Sequence, residues 1–339
     1  MKLKTQVIAL FVLIATPWLA TSETPKKGDS PPVPKPRTFV KKAQLQTEDG
    51  VIKYTTHAGE IYLRNDKGKP KAAIFSIAYL KNDLADPAQR PVAFAFNGGP
   101  GSSAVWLHYG LLGPMRVAVP PDARALGVAP YRIDPNPNSL LRAADLVFID
   151  PVGTGFSRAL APAKNKDFWG VDEDSRSVAE FIRLWISKFN RWNSPKYLIG
   201  ESYGGTRAAK LLNDLQADSS AVNLNGLVLV SPALDYQTFI GGTGNLVYYV
   251  SHLPSYAAAA WYHNRLPNKP KDFLAFLAEV NAFAKTEYLA ALYQGEAIEP
   301  KEKERIIEKL HLYTGLSPDY LGRSHLQMRC TARQISTPG

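Results

Sequence analysis

A short apolar strand that runs straight into a glycine-flanked serine, and from there into a helix, leaves a chain few ways to fold. Residues Lys196-Tyr197-Leu198-Ile199-Gly200-Glu201-Ser202-Tyr203-Gly204-Gly205 have this form, and the helix-prone run Thr206 to Leu215 follows. In that context Gly-x-Ser-x-Gly is a nucleophile elbow, a sharp strand-to-helix turn that lifts a serine hydroxyl above the edge of a sheet. Its glycines are needed because a side chain would collide with neighbouring backbone in so tight a turn. The five-residue pattern is weak by itself; the strand before it and the helix after it give it meaning.

The rest of the chain supplies a sheet for this turn to sit on. Candidate strands are Phe39–Thr47, Glu60–Arg64, Ala72–Leu80, Val92–Phe96, Asp145–Ile149, Lys196–Ile199 and Leu227–Val230. The early ones contain polar positions suited to an antiparallel edge. The later ones are continuous apolar runs, as expected of parallel strands buried on both faces. Between them Asp172–Phe189 reads as a helix, opened by acids that suit a helix N-terminus, with Val178, Phe181, Ile182 and Trp185 at helical spacing. Alternation of strands and helices predicts an α/β fold with a mostly parallel central sheet. After Ser231-Pro232 the texture changes, and Tyr256–Tyr262, Lys271–Leu292 and Ile298–Leu312 predict an all-helical insertion or cap.

The N-terminus predicts export. Lys2 and Lys4 precede the apolar run Val7 to Ala15, and Ala20-Thr21-Ser22 offers small residues for cleavage, so residues 1–22 read as a signal peptide. The run is too short to span a bilayer comfortably, so no stable membrane anchor is expected after cleavage. Residues 23–38, rich in proline and lysine, read as an extended linker. From about Gln327 the apolar periodicity is lost, and residues 327–339 read as an irregular tail.

The net charge of +10 suggests nucleic acid until its distribution is considered. Residues 1–42 carry +6 and residues 323–339 carry +3, which leaves the body close to neutral. A near-neutral domain offers no broad basic face to a phosphate backbone, so a nucleic-acid partner is excluded. Cys330 is the only cysteine, so neither an intrachain disulfide nor a cysteine metal site is expected. The histidines at 57, 108, 252, 263, 311 and 325 show no His-x-x-x-His spacing, and no metal or other cofactor is expected.

A second motif, Asn97-Gly98-Gly99-Pro100-Gly101-Ser102-Ser103, follows the strand Val92–Phe96 directly. A glycine-rich turn at the C-terminal end of a strand lets bare backbone N–H groups face a developing negative charge. A phosphate cradle is the rival reading. It lacks both the Lys-Ser/Thr of a P-loop and the Gly-x-Gly-x-x-Gly of a dinucleotide site. The third segment, Asp150-Pro151-Val152-Gly153-Thr154-Gly155-Phe156-Ser157, reads by itself as a structural turn that lines the site at most.

Together these three segments resemble the serine carboxypeptidase family, exopeptidases of the α/β-hydrolase fold that remove C-terminal amino acids. The resemblance spans roughly residues 40–320. It implies a hydrolase core over 39–232 and a helical cap over 233–326, with peptides bearing a free C-terminus as substrates. It implies Ser202 as nucleophile, the backbone N–H groups of Gly99 and Tyr203 as oxyanion-hole donors, and Asn97 and Glu201 as holders of the substrate carboxylate. Glu201 must carry a proton to donate to that carboxylate, which favours mildly acidic pH.

Two departures follow from the same resemblance. A second glutamate that pairs with the first in eukaryotic members is Leu111 here. The family's acid and histidine follow the nucleophile after further strands, so the triad Asp and His are expected beyond Gly339. His252, His263, His311 and His325 sit in helical sequence and are not expected to serve as the base. Without a base, Ser202 is a poor nucleophile near neutrality. An esterase or acyltransferase on the same scaffold is the second reading, and a catalytically silent peptide-binding fragment is the third.

Overall fold

The computed structural model describes residues 33–120, 128–217, 220–242 and 244–328. The expected signal peptide 1–22, most of the expected linker and the tail from Arg329, with Cys330, lie outside the described residues.

Among the described residues ten strands build the α/β part: β1 (Thr38–Thr47), β2 (Gly50–Arg64), β3 (Pro70–Lys81), β4 (Val92–Phe96), β5 (Met115–Val117), β6 (Ile133–Pro135), β7 (Asp145–Ile149), β8 (Arg158–Ala159), β9 (Lys196–Glu201) and β10 (Gly226–Val230). β5 and β6 form a separate two-stranded ribbon. The main sheet has the order β1-β2-β3-β7-β4-β9-β10, with β8 paired to β3. The pairs β1–β2, β2–β3 and β3–β7 are antiparallel, whereas β7, β4, β9 and β10 run parallel. All five residues of β4 and all five of β7 are buried; β4 is apolar throughout, and β7 is apolar after Asp145.

Successive side chains of a strand point to opposite faces, and each face of this sheet has its own core. Phe94, Phe96 and Leu198 pack with Phe181, Ile182 and Trp185 of the helix Val171–Lys188 and with Leu211 and Leu215 of the helix Tyr203–Gln216. Trp185 meets Phe94 edge-on, ring centroids 5.3 Å apart. Ala93, Ala95, Leu146, Phe148 and Ile199 face the other way, onto Leu107 and Leu141.

The N-terminal ends of the parallel strands are fastened by charge. The buried Asp145 accepts from Arg90 Nε at 2.8 Å, Arg191 Nη1 at 2.5 Å and Lys81 N at 2.9 Å. Beside it Lys196 Nζ donates to the Ser194 carbonyl at 2.8 Å. At the other margin of the sheet β10 pairs only with β9 among the described strands, and Leu227, Val228 and Leu229 are partly open to solvent. The described part of the expected linker runs beside β2, where Tyr62 Oη donates to the Pro34 carbonyl and the Arg37 backbone N–H donates to Glu60.

Two elements differ in extent from the sequence reading. β2 begins at Gly50 rather than near Glu60, because its polar first half pairs along the whole of β1. The first long helix of the C-terminal part is Leu246–Tyr262 rather than Tyr256–Tyr262, and it runs through Pro254. Further helices follow at Phe273–Phe283, Leu289–Gln294, Pro300–Thr314 and Pro318–Arg323. Pro300 opens one of them and Gly315, at φ +69°, closes it. Leu253, Phe276, Phe283, Tyr288, Ile306 and Leu310 form a core that draws on no strand residue. No helix among the described residues is long and apolar enough to cross a membrane.

Candidate active site

β4 and β9 lie side by side and parallel, with Phe96 level with Gly200. Their C-terminal ends therefore deliver the loop from Asn97 and the turn at Ser202 to one place. Ser202 sits at φ +57°, ψ −124°, a conformation that L-residues seldom adopt and that costs about 1–3 kcal/mol. Three backbone hydrogen bonds hold it there. Its N–H donates to the Val230 carbonyl at 3.0 Å, and its carbonyl accepts from Gly205 N at 2.9 Å and Ala233 N at 3.1 Å.

The glycines record how closely the two loops approach. A Cβ on Gly98 would lie 2.4 Å from Tyr203 N, and one on Gly200 would lie 2.2 Å from the Gly204 carbonyl oxygen. Gly99 is at φ +105°, in the left-handed region. The first helical N–H groups after Ser202 have no partner within their own helix and carry its positive dipole end toward the serine. The structure thus sets Gly98 against the Tyr203 N–H and puts Gly99 in the same cleft as Ser202.

That cleft, of about 470 Å³, is lined by Asn97, Gly99, Glu201 and Ser202 on its polar side and by Trp106, Leu107, Leu111 and Val230 on its apolar side. Asn97 is fully buried. Its Nδ2 donates to Glu201 Oε2 at 3.0 Å, while its Oδ1 accepts from Leu107 N at 3.1 Å. The main-chain bond fixes which way the amide faces, and so turns its donor toward Glu201.

Beneath the cleft lies a buried ion pair that sequence reasoning missed. Arg207 donates from Nε to Asp174 Oδ2 at 2.8 Å and from Nη1 to the Asn97 carbonyl at 2.7 Å. Its guanidinium also sits over the rings of Phe96 and Tyr203, at 5.3 and 5.1 Å. Burial, with Asp174 beside it, pushes the Tyr203 phenol up to about 12. The signal was periodicity: Arg207, Leu211 and Leu215 recur every fourth residue on the buried face of their helix.

The histidines are engaged elsewhere. His108 Nε2 lies 2.6 Å from Tyr79 Oη, its ring stacks on Phe148, and burial pushes it down to about 4. His252 Nδ1 faces the Tyr248 carbonyl at 2.8 Å, His311 Nδ1 the Leu316 carbonyl at 2.7 Å, and His325 pairs with Glu296. His263 follows the helix Leu246–Tyr262 and packs against Tyr262. None of them lines the cleft. Among the described residues no group of three metal-ligating side chains converges.

The third motif is also placed. Asp150 follows β7, next to β4, and its Oδ1 accepts from Ala104 N at 3.0 Å while its Oδ2 accepts from Phe156 N at 3.3 Å. Burial raises its carboxyl above the usual carboxylate range, an effect the two N–H groups oppose.

Comparison with known proteins places this geometry. A family model described as serine carboxypeptidase matches residues 48–296. Serine carboxypeptidase-like 36 of Arabidopsis thaliana is 26% identical over 211 residues, covering 61% of this chain and 40% of that protein. Serine carboxypeptidase-like 5 of the same plant is 30% identical over 172 residues, covering 47% of this chain and 37% of that protein. The chain therefore spans well under half the length of these curated relatives. Among solved structures, Kex1(delta)p, a prohormone-processing carboxypeptidase from Saccharomyces cerevisiae, superposes with a TM-score of 0.48 at 22% identity, over 77% of this chain and 53% of that one. The central sheet and its flanking helices have the α/β-hydrolase arrangement.

Proposed function

Because the chain belongs to the serine carboxypeptidase family, we propose that Ser202 forms the acyl-enzyme of an exported hydrolase that releases C-terminal amino acids from peptides. The observation that carries this reading is the strained Ser202 at the head of a helix, in one cleft with Asn97, Gly99 and Glu201. Ser202 Oγ attacks the last peptide carbonyl. The N–H groups of Gly99 and Tyr203 receive the negative charge that forms on its oxygen. Asn97 and Glu201 hold the terminal carboxylate, and the apolar wall receives the side chain of the residue to be released. No histidine among the described residues lines the cleft, so none of them supplies the general base that Ser202 needs.

One observation favours a second reading. Leu111, in place of a second acid, makes the wall beside Glu201 apolar, which suits an uncharged ester as acyl donor. Two measurements separate the possibilities. A fluorophosphonate should add once to the native chain, at Ser202 by peptide mass spectrometry, and not at all to Ser202→Ala. Hydrolysis of a blocked dipeptide should outpace that of its C-terminal amide at pH 5; equal rates remove the carboxypeptidase reading and leave the esterase one.

A further inference from the structure

We propose that Asp150 is a positioning residue that holds the oxyanion loop, residues 97–104, in its working shape. The inference rests on the reading of Ser202 and Gly99 given above, and it assigns work to a segment whose sequence looks merely structural. The loop is fixed at its start, where Arg207 holds the Asn97 carbonyl. Within it Ser102 N donates to the Gly98 carbonyl at 3.1 Å, which curls the turn but ties it to nothing outside. At its end stands Asp150, whose Oδ1 takes the Ala104 N–H.

Asp150 suits this role because it is itself held. It follows β7, which is paired to β4, the strand that launches the loop. The Asp150 carbonyl accepts from Ser157 Oγ at 2.5 Å, and Ser157 Oγ in turn accepts from Phe75 N of β3 at 2.7 Å. The second carboxyl oxygen takes the Phe156 N–H, so one side chain joins two loops raised on neighbouring strands. Space there is tight. A Cβ on Gly155 would lie 2.0 Å from Asp150 Oδ2 and 3.0 Å from Ser103 Cβ. Gly155, at φ +49°, is thus the residue that lets the carboxyl reach Ala104.

Oxyanion donors act by being in place before charge develops, so loss of a distant anchor lowers the rate of bond formation more than it lowers binding. Two substitutions probe this from different sides. Asp150→Asn keeps the shape but replaces one accepting oxygen with a donor. Gly155→Ala leaves Asp150 intact and displaces its carboxyl.

The test is the saturation kinetics of fluorophosphonate labelling of the native chain and both variants, with thermal melts in parallel. The expected result is a fall in kinact of about tenfold, a fraction of the 10²–10³ that a whole oxyanion donor supplies. KI should stay within about twofold and both melts should remain cooperative. If Asp150→Asn does not fold, Gly155→Ala decides. An unchanged kinact in a folded variant overturns the inference, and so does a rise in KI that matches the loss of rate. A native chain that never labels at Ser202 removes the parent reading and the inference with it. Labelling of the native chain at an equal rate in the variants removes the inference alone.

Discussion

The two ends of the parallel strands are built from similar materials to opposite effect. At the N-terminal ends Asp145 draws in two arginines and a main-chain N–H, and every contact closes the sheet on itself. At the C-terminal ends Asp174 and Arg207 form an equally buried pair, yet Arg207 spends a further hydrogen bond on the Asn97 carbonyl, a group that borders the cleft. One end uses a carboxylate to finish the fold. The other uses one to support a strained serine, two bare glycines and an amide turned toward a glutamate. A buried ion pair is thus poor evidence for function until the third partner is known.

The sharpest way to break the comparison is at the N-terminal end. Asp145→Ala leaves Arg191 and Arg90 without their carboxylate, and a buried charge stripped of its partner costs about 3–5 kcal/mol. Urea denaturation should show that loss, and the fluorophosphonate should still select Ser202 in whatever fraction remains folded.

His108 gives the next largest effect. It is buried against Tyr79 and Phe148, and burial lowers it from 6.5 to about 4. Below pH 6.5 the unfolded chain takes up a proton that the folded chain refuses until about pH 4, so stability falls as the pH falls through that window. The integrated loss is about 3 kcal/mol. His108→Gln should flatten this part of the stability profile; a native profile already flat between pH 6.5 and 4 would refute the buried neutral imidazole.

The smallest effect sharpens the contrast most. Ser202→Gly removes the nucleophile and relieves the φ of +57°, so the variant should lose all labelling while gaining about 1 kcal/mol in stability. A destabilised variant would mean that the serine side chain, rather than the turn, holds this corner together.

Much of this was legible in the residues themselves, for physical reasons that differ by element. β4, and β7 after its opening Asp145, could be bounded because a strand buried on both faces is apolar along its length. The first half of β2 was illegible because its partner, β1, lies at the sheet's margin, and a half-exposed ribbon tolerates polar residues on either side. Leu246 to Ser255 was hidden by Pro254, which ordinarily breaks a helix. At the site, Gly99 and Ser202 stood out because tight turns demand particular residue types, whereas Asn97 and Glu201 were singled out only by the family resemblance. Asp174, Arg207 and the reach of Asp150 across to Ala104 could not be named. The four-residue spacing of Arg207, Leu211 and Leu215 sets the arginine on the buried face but does not say what it holds, and an acid after a strand has no local signature that separates surface from support.

The hydrogen bond from Ser202 N–H to the Val230 carbonyl has a consequence for timing. Val230 ends β10, which pairs only with β9 among the described strands, so the serine takes its posture from a strand at the margin of the sheet. Fraying at that margin and loosening of the nucleophile are then one event seen from two sides. The exchange rate of a single amide proton, that of Ser202, should report both.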